Sequence, residues 1–175
     1  TTGKSRFFDR PVSFAFVDYA DGEVKHRTHA LVNPGRPIPE GAQRVHHITD
    51  EMVQKDGWEL ADAVEFLVGR LNEAFAAQVP IVGANLAYDL TMVNEAAKEL
   101  GIPVLYDPSS RVPFDAPVLD VIAIDRGVDR FRKGGRRLTQ LAGHYGIEVI
   151  DAHDALGDVE MSIKVLLAQI AKFPE

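Results

Sequence analysis

The chain has 175 residues, 46% of them hydrophobic and 26% charged, a balance that suits one globular domain and excludes a disordered or fibrous protein. Nineteen Lys and Arg against 26 Asp and Glu leave a net charge of −7, which argues against a protein that coats nucleic acid through many phosphate contacts. With no cysteine there is no disulfide framework, thiolate metal site or Cys nucleophile, and a cytoplasmic location is expected. No tract approaches the roughly 20 apolar residues of a membrane span, so no membrane partner is expected.

Residues 12–19 are rich in β-branched and aromatic side chains and predict a strand. Asp21 and Gly22 signal a hairpin turn, and residues 24–32 predict the returning strand. Pro34, Gly35, Pro37 and Pro39 then keep the chain in an extended loop. Thr49 is a good N-cap, followed by Asp50 and Glu51 where the helix dipole favours anions. Leu60, Val64, Leu67, Leu71 and Phe75 recur at helical spacing and predict an amphipathic helix over 59–77. The apolar run 79–83 predicts a buried strand. A helix over 87–100 follows, with Tyr88, Met92, Val93 and Ala96 inward and Gly101 as its stop. A short strand is expected at 103–105, a loop at 107–117 and a short helix over 118–124. Helices over 138–145 and 154–173 complete the chain, the last with Val159, Ile163, Leu166 and Ile170 on one face. This order gives an α/β chain of one domain over 1–175, without internal repeats.

Polar groupings stand at three element boundaries. Asn85 and Asp89 follow the apolar strand at a helix opening, where open α/β sheets place ligands; the pair also reads as ordinary helix capping. His153 and Asp158 are five residues apart, about 140° beyond a full helical turn, so they converge only if His153 precedes a helix starting near Asp154. A neutral His beside a carboxylate is then a candidate general base, the other reading being a solvated loop His with a capping Asp. His46 and His47 form either a surface loop or a substrate-contact loop, because adjacent side chains diverge and do not share one metal. The run 130–137 gathers five cations and suits either a phosphate backbone or a solvated loop.

In this order the segments resemble the DnaQ-like 3′–5′ exonucleases, the DEDDh branch of the ribonuclease H-like superfamily. Thr1-Thr2-Gly3 resembles the tail of the first motif, Asp-x-Glu-Thr-Thr-Gly. Residues 31–39, followed by His46-His47-Ile48-Thr49, resemble the family's loop and His-Gly-Ile-Thr segment, with His47 where glycine is usual. Residues 85–89 resemble Asn-x-x-x-Asp, and residues 153–158 resemble His-x-Ala-x-x-Asp.

The resemblance implies a ribonuclease H-like fold, with a mixed central sheet flanked by helices. The first-motif Asp and Glu, and a first central strand, would stand immediately before Thr1, so the domain is expected to be incomplete at its N-terminus. It also implies a two-metal phosphodiester hydrolysis in which four carboxylates hold two Mg²⁺ or Mn²⁺ ions. Carried over by position, Asp89 and Asp158 are metal ligands, and His153 deprotonates the attacking water. Thr2 and Gly3 would line the terminal-nucleotide pocket, His46 and Ile48 would pack near its sugar or base, and Asn85 would orient its surroundings. The expected activity releases nucleoside monophosphates from a single-stranded 3′ end, DNA favoured over RNA, with a polymerase as a further partner. The alternative is a catalytically inactive exonuclease-like module that binds nucleic acid or a polymerase.

Overall fold

The structure is a computed structural model that describes residues 1–105, 117–149 and 155–174. β1 (Ser13–Ala20) turns into β2 (Glu23–Asn33) through Asp21 and Gly22, whose φ angles of 55° and 81° are those a two-residue hairpin requires. After them come α1 (Glu40–His46), α2 (Asp50–Asp56), β3 (Trp58–Glu59), α3 (Leu60–Ala76), β4 (Ile81–Gly83) and α4 (Leu86–Leu100). β5 (Val118–Asp120), α5 (Val121–Val128), α6 (Leu138–His144) and α7 (Ala155–Lys172) complete the order. β1, β2 and β3 share a sheet in which β3 runs parallel to β2, Val32 lying opposite Trp58. That sheet is therefore mixed, as expected, because the hairpin pair is antiparallel. β4 pairs with β5 in a second sheet.

The described residues divide into two compact units, one of 1–14, 29–81, 87–105 and 117, the other of 15–28, 82–86, 118–149 and 155–174. In the first, Val12, Ile38, Ile48 and Val53 form a buried cluster. Phe14, Trp58 and Phe66 pack mutually with ring centroids 5.4 to 5.6 Å apart, mostly edge to face. α3 buries Leu60, Val64, Leu67 and Leu71 on the face that the spacing predicts, and α4 likewise buries Met92, Val93 and Ala96.

The second unit is built on Val121, Leu141, Ala142, Met161 and Val165. The buried stripe of α7 is rotated from the expected one: Ile170 is 55% exposed and Gln169 only 2%. The amide nitrogen of Gln169 donates to the Val121 carbonyl at 2.8 Å, so a buried polar group anchored through its nitrogen occupies the place assigned to an aliphatic one.

Other departures have local causes. Residues 40–46 are helical where a loop is expected; this helix buries no residue, so it leaves no apolar period to read. Residues 103–105 are not in a strand. The expected helix over 118–124 is split into β5 and α5 at Asp120, whose carboxylate accepts from the amides of Ile122 and Ala123. Residues 107–116 of the expected loop, and the start of the last helix at 154, lie outside the described residues.

A buried charge organises the second unit. Asp125 has no solvent exposure; its carboxylate accepts from Arg136 Nε at 2.6 Å, Arg132 Nη2 at 3.0 Å and the Tyr145 hydroxyl at 3.0 Å. Burial alone would push its carboxyl up, but the hydrogen bonds from Arg132, Arg136 and Tyr145 outweigh this and hold it below the ordinary value of 3.8.

These placements make stability testable at two residues. The backbone of His47, with φ 60° and ψ 17°, closes α1 in the left-handed region while its side chain is exposed. His47→Gly should raise stability by about 1 kcal/mol in denaturant titration, because glycine adopts that conformation without the Cβ clash. A lowered midpoint would mean that the imidazole contributes more than the strain costs. Asp125→Asn should destabilise by about 3–5 kcal/mol, leaving two guanidinium groups short of their counter-charge. Because the native carboxyl titrates below its unfolded value, the stabilisation is complete above about pH 4 and is lost as pH falls through the lower native value. The Asn variant should therefore show a flatter acid limb in a pH series, and an unchanged limb would refute the assignment.

Candidate active site

Residues 1–10 form a turn held by one carboxylate. Thr2 is 2% exposed, and its amide donates to the Arg10 carbonyl at 2.9 Å, while the Arg10 amide donates to Thr2 Oγ1 at 3.0 Å. Thr2 Oγ1 in turn donates to Asp9 Oδ1 at 2.9 Å, and the Ser5 amide donates to Asp9 Oδ2 at 2.7 Å. The Asp9 carboxylate lies so close over Gly3 that a Cβ there would stand 2.5 Å from Oδ2. Any larger residue there would displace the carboxylate from Thr2 and Ser5. Thr2 and Gly3 thus act through the backbone they shape, with the threonine hydroxyl turned inward.

The carbonyl of Gly3 accepts two hydroxyl hydrogen bonds, from Thr1 Oγ1 at 2.8 Å and from the Tyr88 hydroxyl at 2.9 Å. Tyr88 lies in the first turn of α4, beside Asp89. The buried main-chain nitrogen of Thr1 is within electrostatic reach of the Asp89 and Asp9 carboxylates. Thr1, Gly3, Tyr88 and Asp89 therefore form one neighbourhood inside the first unit, though 85 residues separate Gly3 from Tyr88.

His46 ends α1 in the same unit. Its Nδ1 accepts from the Ile48 amide at 3.1 Å, which puts the proton of the neutral ring on Nε2. Nε2 is buried beside the Thr1 backbone without a hydrogen bond of normal geometry, and burial pushes the ring's pKa below its ordinary value. Ile48 is 9% exposed and belongs to the apolar cluster with Val12 and Val53. His47 points outward.

Asn85 is exposed and takes φ 64°, the left-handed turn that carries β4 into α4; asparagine tolerates this conformation better than most residues. The next amide, of Leu86, donates to Asp120 Oδ2 at 2.9 Å, so Asp120 caps α5 with one oxygen and the opening of α4 with the other. Asp89 is exposed in the first turn of α4, and Asp158 is half-buried in the first turn of α7, where its carbonyl accepts from Ser162 Oγ at 2.8 Å. His153 lies outside the described residues. Among the described residues no group of three or more His, Asp or Glu side chains is assembled to hold a metal ion.

Sequence reasoning missed three participants. Tyr88 reads as a core residue by helical periodicity, yet its hydroxyl grips the Gly3 carbonyl. Asp9 carries no motif and is identifiable only once the turn is folded. Asp120 sits in an apolar run that conceals its capping role. Phe7 and Phe8, on the same turn as Gly3, are 53% and 80% exposed, with the Arg6 guanidinium 5.0 Å from the Phe7 ring centroid.

Comparison with known proteins bears on this geometry. The family model described as exonuclease (RNase_T) matches residues 1–166. DNA polymerase III PolC-type of Lacticaseibacillus paracasei is 27% identical over 96% of this chain, and that of Staphylococcus haemolyticus 25% over all of it. The chain spans only about a tenth of the length of these curated relatives (10% and 11%). Among solved structures, E. coli exonuclease I in complex with a dA16 oligonucleotide superposes with a TM-score of 0.77 at 21% identity, covering 99% of this chain and 39% of that one. Exonuclease X in complex with 5′ overhanging duplex DNA gives a TM-score of 0.64 at 19% identity, covering 94% and 84%. The fold is that of exonuclease I, the ribonuclease H-like arrangement that the motifs imply. With the family model covering nearly the whole chain, and the tail of the first motif folded against the helix that carries the second, the chain belongs to the exonuclease family.

Proposed function

We propose that this exonuclease domain removes nucleoside monophosphates from a single-stranded 3′ end, DNA in preference to RNA. The observation that carries the reading is the hydrogen bond from Tyr88 to the Gly3 carbonyl, which fixes a tight glycine turn beside Asp89. The names of the PolC-type relatives support a polymerase as partner, and the absence of cysteine supports a cytoplasmic setting.

Asp89 and Asp158 are proposed as ligands for two divalent ions, Mg²⁺ or Mn²⁺. The donor type fits, since carboxylate oxygens are the hard ligands these ions take, and each Asp stands at the opening of its own helix. Bound ions of this kind supply the positive charge that stabilises the attacking and leaving oxygens of a phosphodiester. In the reading, the chain's own residues do the rest. His153 accepts the proton of the attacking water on an imidazole nitrogen. Thr2 holds the Gly3 turn through Asp9, and Thr2 and Gly3 line the terminal-nucleotide pocket through that backbone. His46 with its neutral ring, backed by the buried Ile48, packs near the terminal sugar or base, and Asn85 sets the bend ahead of Asp89.

The test is turnover of a 3′-labelled oligonucleotide by the full-length protein. Asp89→Ala should lower turnover by several orders of magnitude with little change in stability, because the exposed side chain contributes nothing to the core. Asp158→Ala should behave alike in turnover, and His153→Ala should cost about 10²–10⁴-fold. Near wild-type turnover of either Asp variant at saturating Mg²⁺ would sink the assignment. Nucleic-acid binding without turnover in the wild type would favour an inactive module instead.

A further inference from the structure

The cationic run is the feature that the proposed reaction leaves unused. Residues 126–137 hold six of the chain's 19 Lys and Arg and only one of its 26 acids, Asp129. Two of the six point inward: Arg132 and Arg136, with side chains 7% and 22% exposed, bind the buried Asp125. Arg132 also donates to the Gly135 carbonyl at 3.1 Å and Arg136 to the Asp129 carbonyl at 2.7 Å, so the loop is stapled to its own interior. The Asp129 carboxylate is itself faced by His144 and Lys172 at 3.5 and 3.9 Å. The other four cations, Arg126, Arg130, Lys133 and Arg137, are exposed and form no ion pair among the described residues. Between them stands Phe131, 90% exposed, with the Arg130 guanidinium 5.8 Å from its ring centroid.

We propose that this stapled loop is a second binding surface for single-stranded nucleic acid, Phe131 stacking on a base while Arg130, Lys133 and neighbouring cations meet the phosphates. The inference rests on the exonuclease reading and extends it from the strand end to the strand behind it. Its chemistry is that of single-strand binding surfaces, which combine aromatic platforms with cations along the backbone. A base is the fitting occupant because an almost fully exposed ring, flanked by cations, matches a polyanion that carries flat apolar faces. A duplex would not serve, since its bases already stack on one another. The charge is complementary too: this is a positive surface in a chain of net charge −7. The Asp125 staple matters because a pre-ordered loop gives up little freedom on binding.

The test compares the full-length wild type with Phe131→Ala and with Arg130→Ala/Lys133→Ala, all substitutions at exposed positions. Binding to fluorescein-labelled oligothymidylates of about 4 and about 20 nucleotides is read by anisotropy in EDTA, lengths that bracket the short and long limits of a single-strand site. Phe131→Ala should weaken the long strand by about 5- to 100-fold, as removal of one stacking platform does, and leave the short strand and its turnover with Mg²⁺ unchanged. The double variant should flatten the slope of log affinity against log salt by about 0.7 for each phosphate that is no longer neutralised. Equal affinity of wild type and variants for the long strand overturns the proposal, while continued degradation of the short strand leaves the exonuclease reading standing. Unchanged nucleic-acid binding with abolished binding to polyglutamate also overturns it, in favour of an acidic protein partner. If the wild type degrades neither strand, the exonuclease reading fails, and the binding comparison still decides the role of the loop.

Discussion

A carboxylate taken out of water must have its charge and lone pairs answered by the protein around it, and this requirement shapes the chain at three aspartates. Asp125 is the strictest case: it is fully buried, and among the described residues Arg132, Arg136 and Tyr145 answer it. Meeting that demand joins α5, the loop after it and the end of α6 into one unit. Asp120 answers two helix openings at once, and Asp9 ties the Thr2 hydroxyl and the Ser5 amide into one turn. These polar ties add direction to a frame whose bulk is carried by the apolar clusters around Val121 and Val12.

The same economy governs the turn at the start of the chain. Gly3 lies under the Asp9 carboxylate, where a side chain would collide, and its carbonyl faces the hydroxyls of Thr1 and Tyr88. A carbonyl accepting two hydroxyls is held in direction as well as in place. The Thr-Thr-Gly segment is thus tied to the first turn of α4 by a hydrogen bond that spans 85 residues of sequence. His46 adds a ring whose tautomer is set by the Ile48 amide, presenting an N–H rather than a lone pair toward Thr1.

Periodicity made the long elements legible. α3, α4 and most of α7 were readable because each buries one face, and burial leaves a period in the residue types, while the hairpin was readable from its Asp-Gly turn and its β-branched and aromatic strands. Where polar chemistry overrides that period the reading slips. Gln169 displaces the apolar stripe of α7 because it satisfies the Val121 carbonyl, and Asp120 breaks a run that otherwise reads as one helix. α1 had no buried face to betray it. The ordered motifs identified the family, and the glycine expected at position 47 finds its reason in the left-handed backbone there. The role of Tyr88 was beyond the sequence because a hydroxyl meeting a carbonyl 85 residues away leaves no spacing to detect, and the bond from the Leu86 amide to Asp120 across 34 residues leaves none either.

Charge is distributed in a way that composition alone conceals. A net charge of −7 suggests a protein that repels polyanions, yet most of that charge is spread along helices and strands while one short loop is strongly positive. Averaged over the molecule, such a surface disfavours indiscriminate coating of nucleic acid; locally, it attracts. Screening lengths of about 8 Å at physiological ionic strength make the local sign decisive for a strand already in contact and the global sign decisive only for one at a distance. A domain that bound strands tightly along their whole length would release them slowly after each cleavage, whereas one that repels them broadly and holds them at few points can let the strand advance. The buried Asp125 contributes to that balance indirectly. By drawing the guanidinium groups of Arg132 and Arg136 inward, it fixes the loop and leaves Arg126, Arg130, Lys133 and Arg137 as its outward cations.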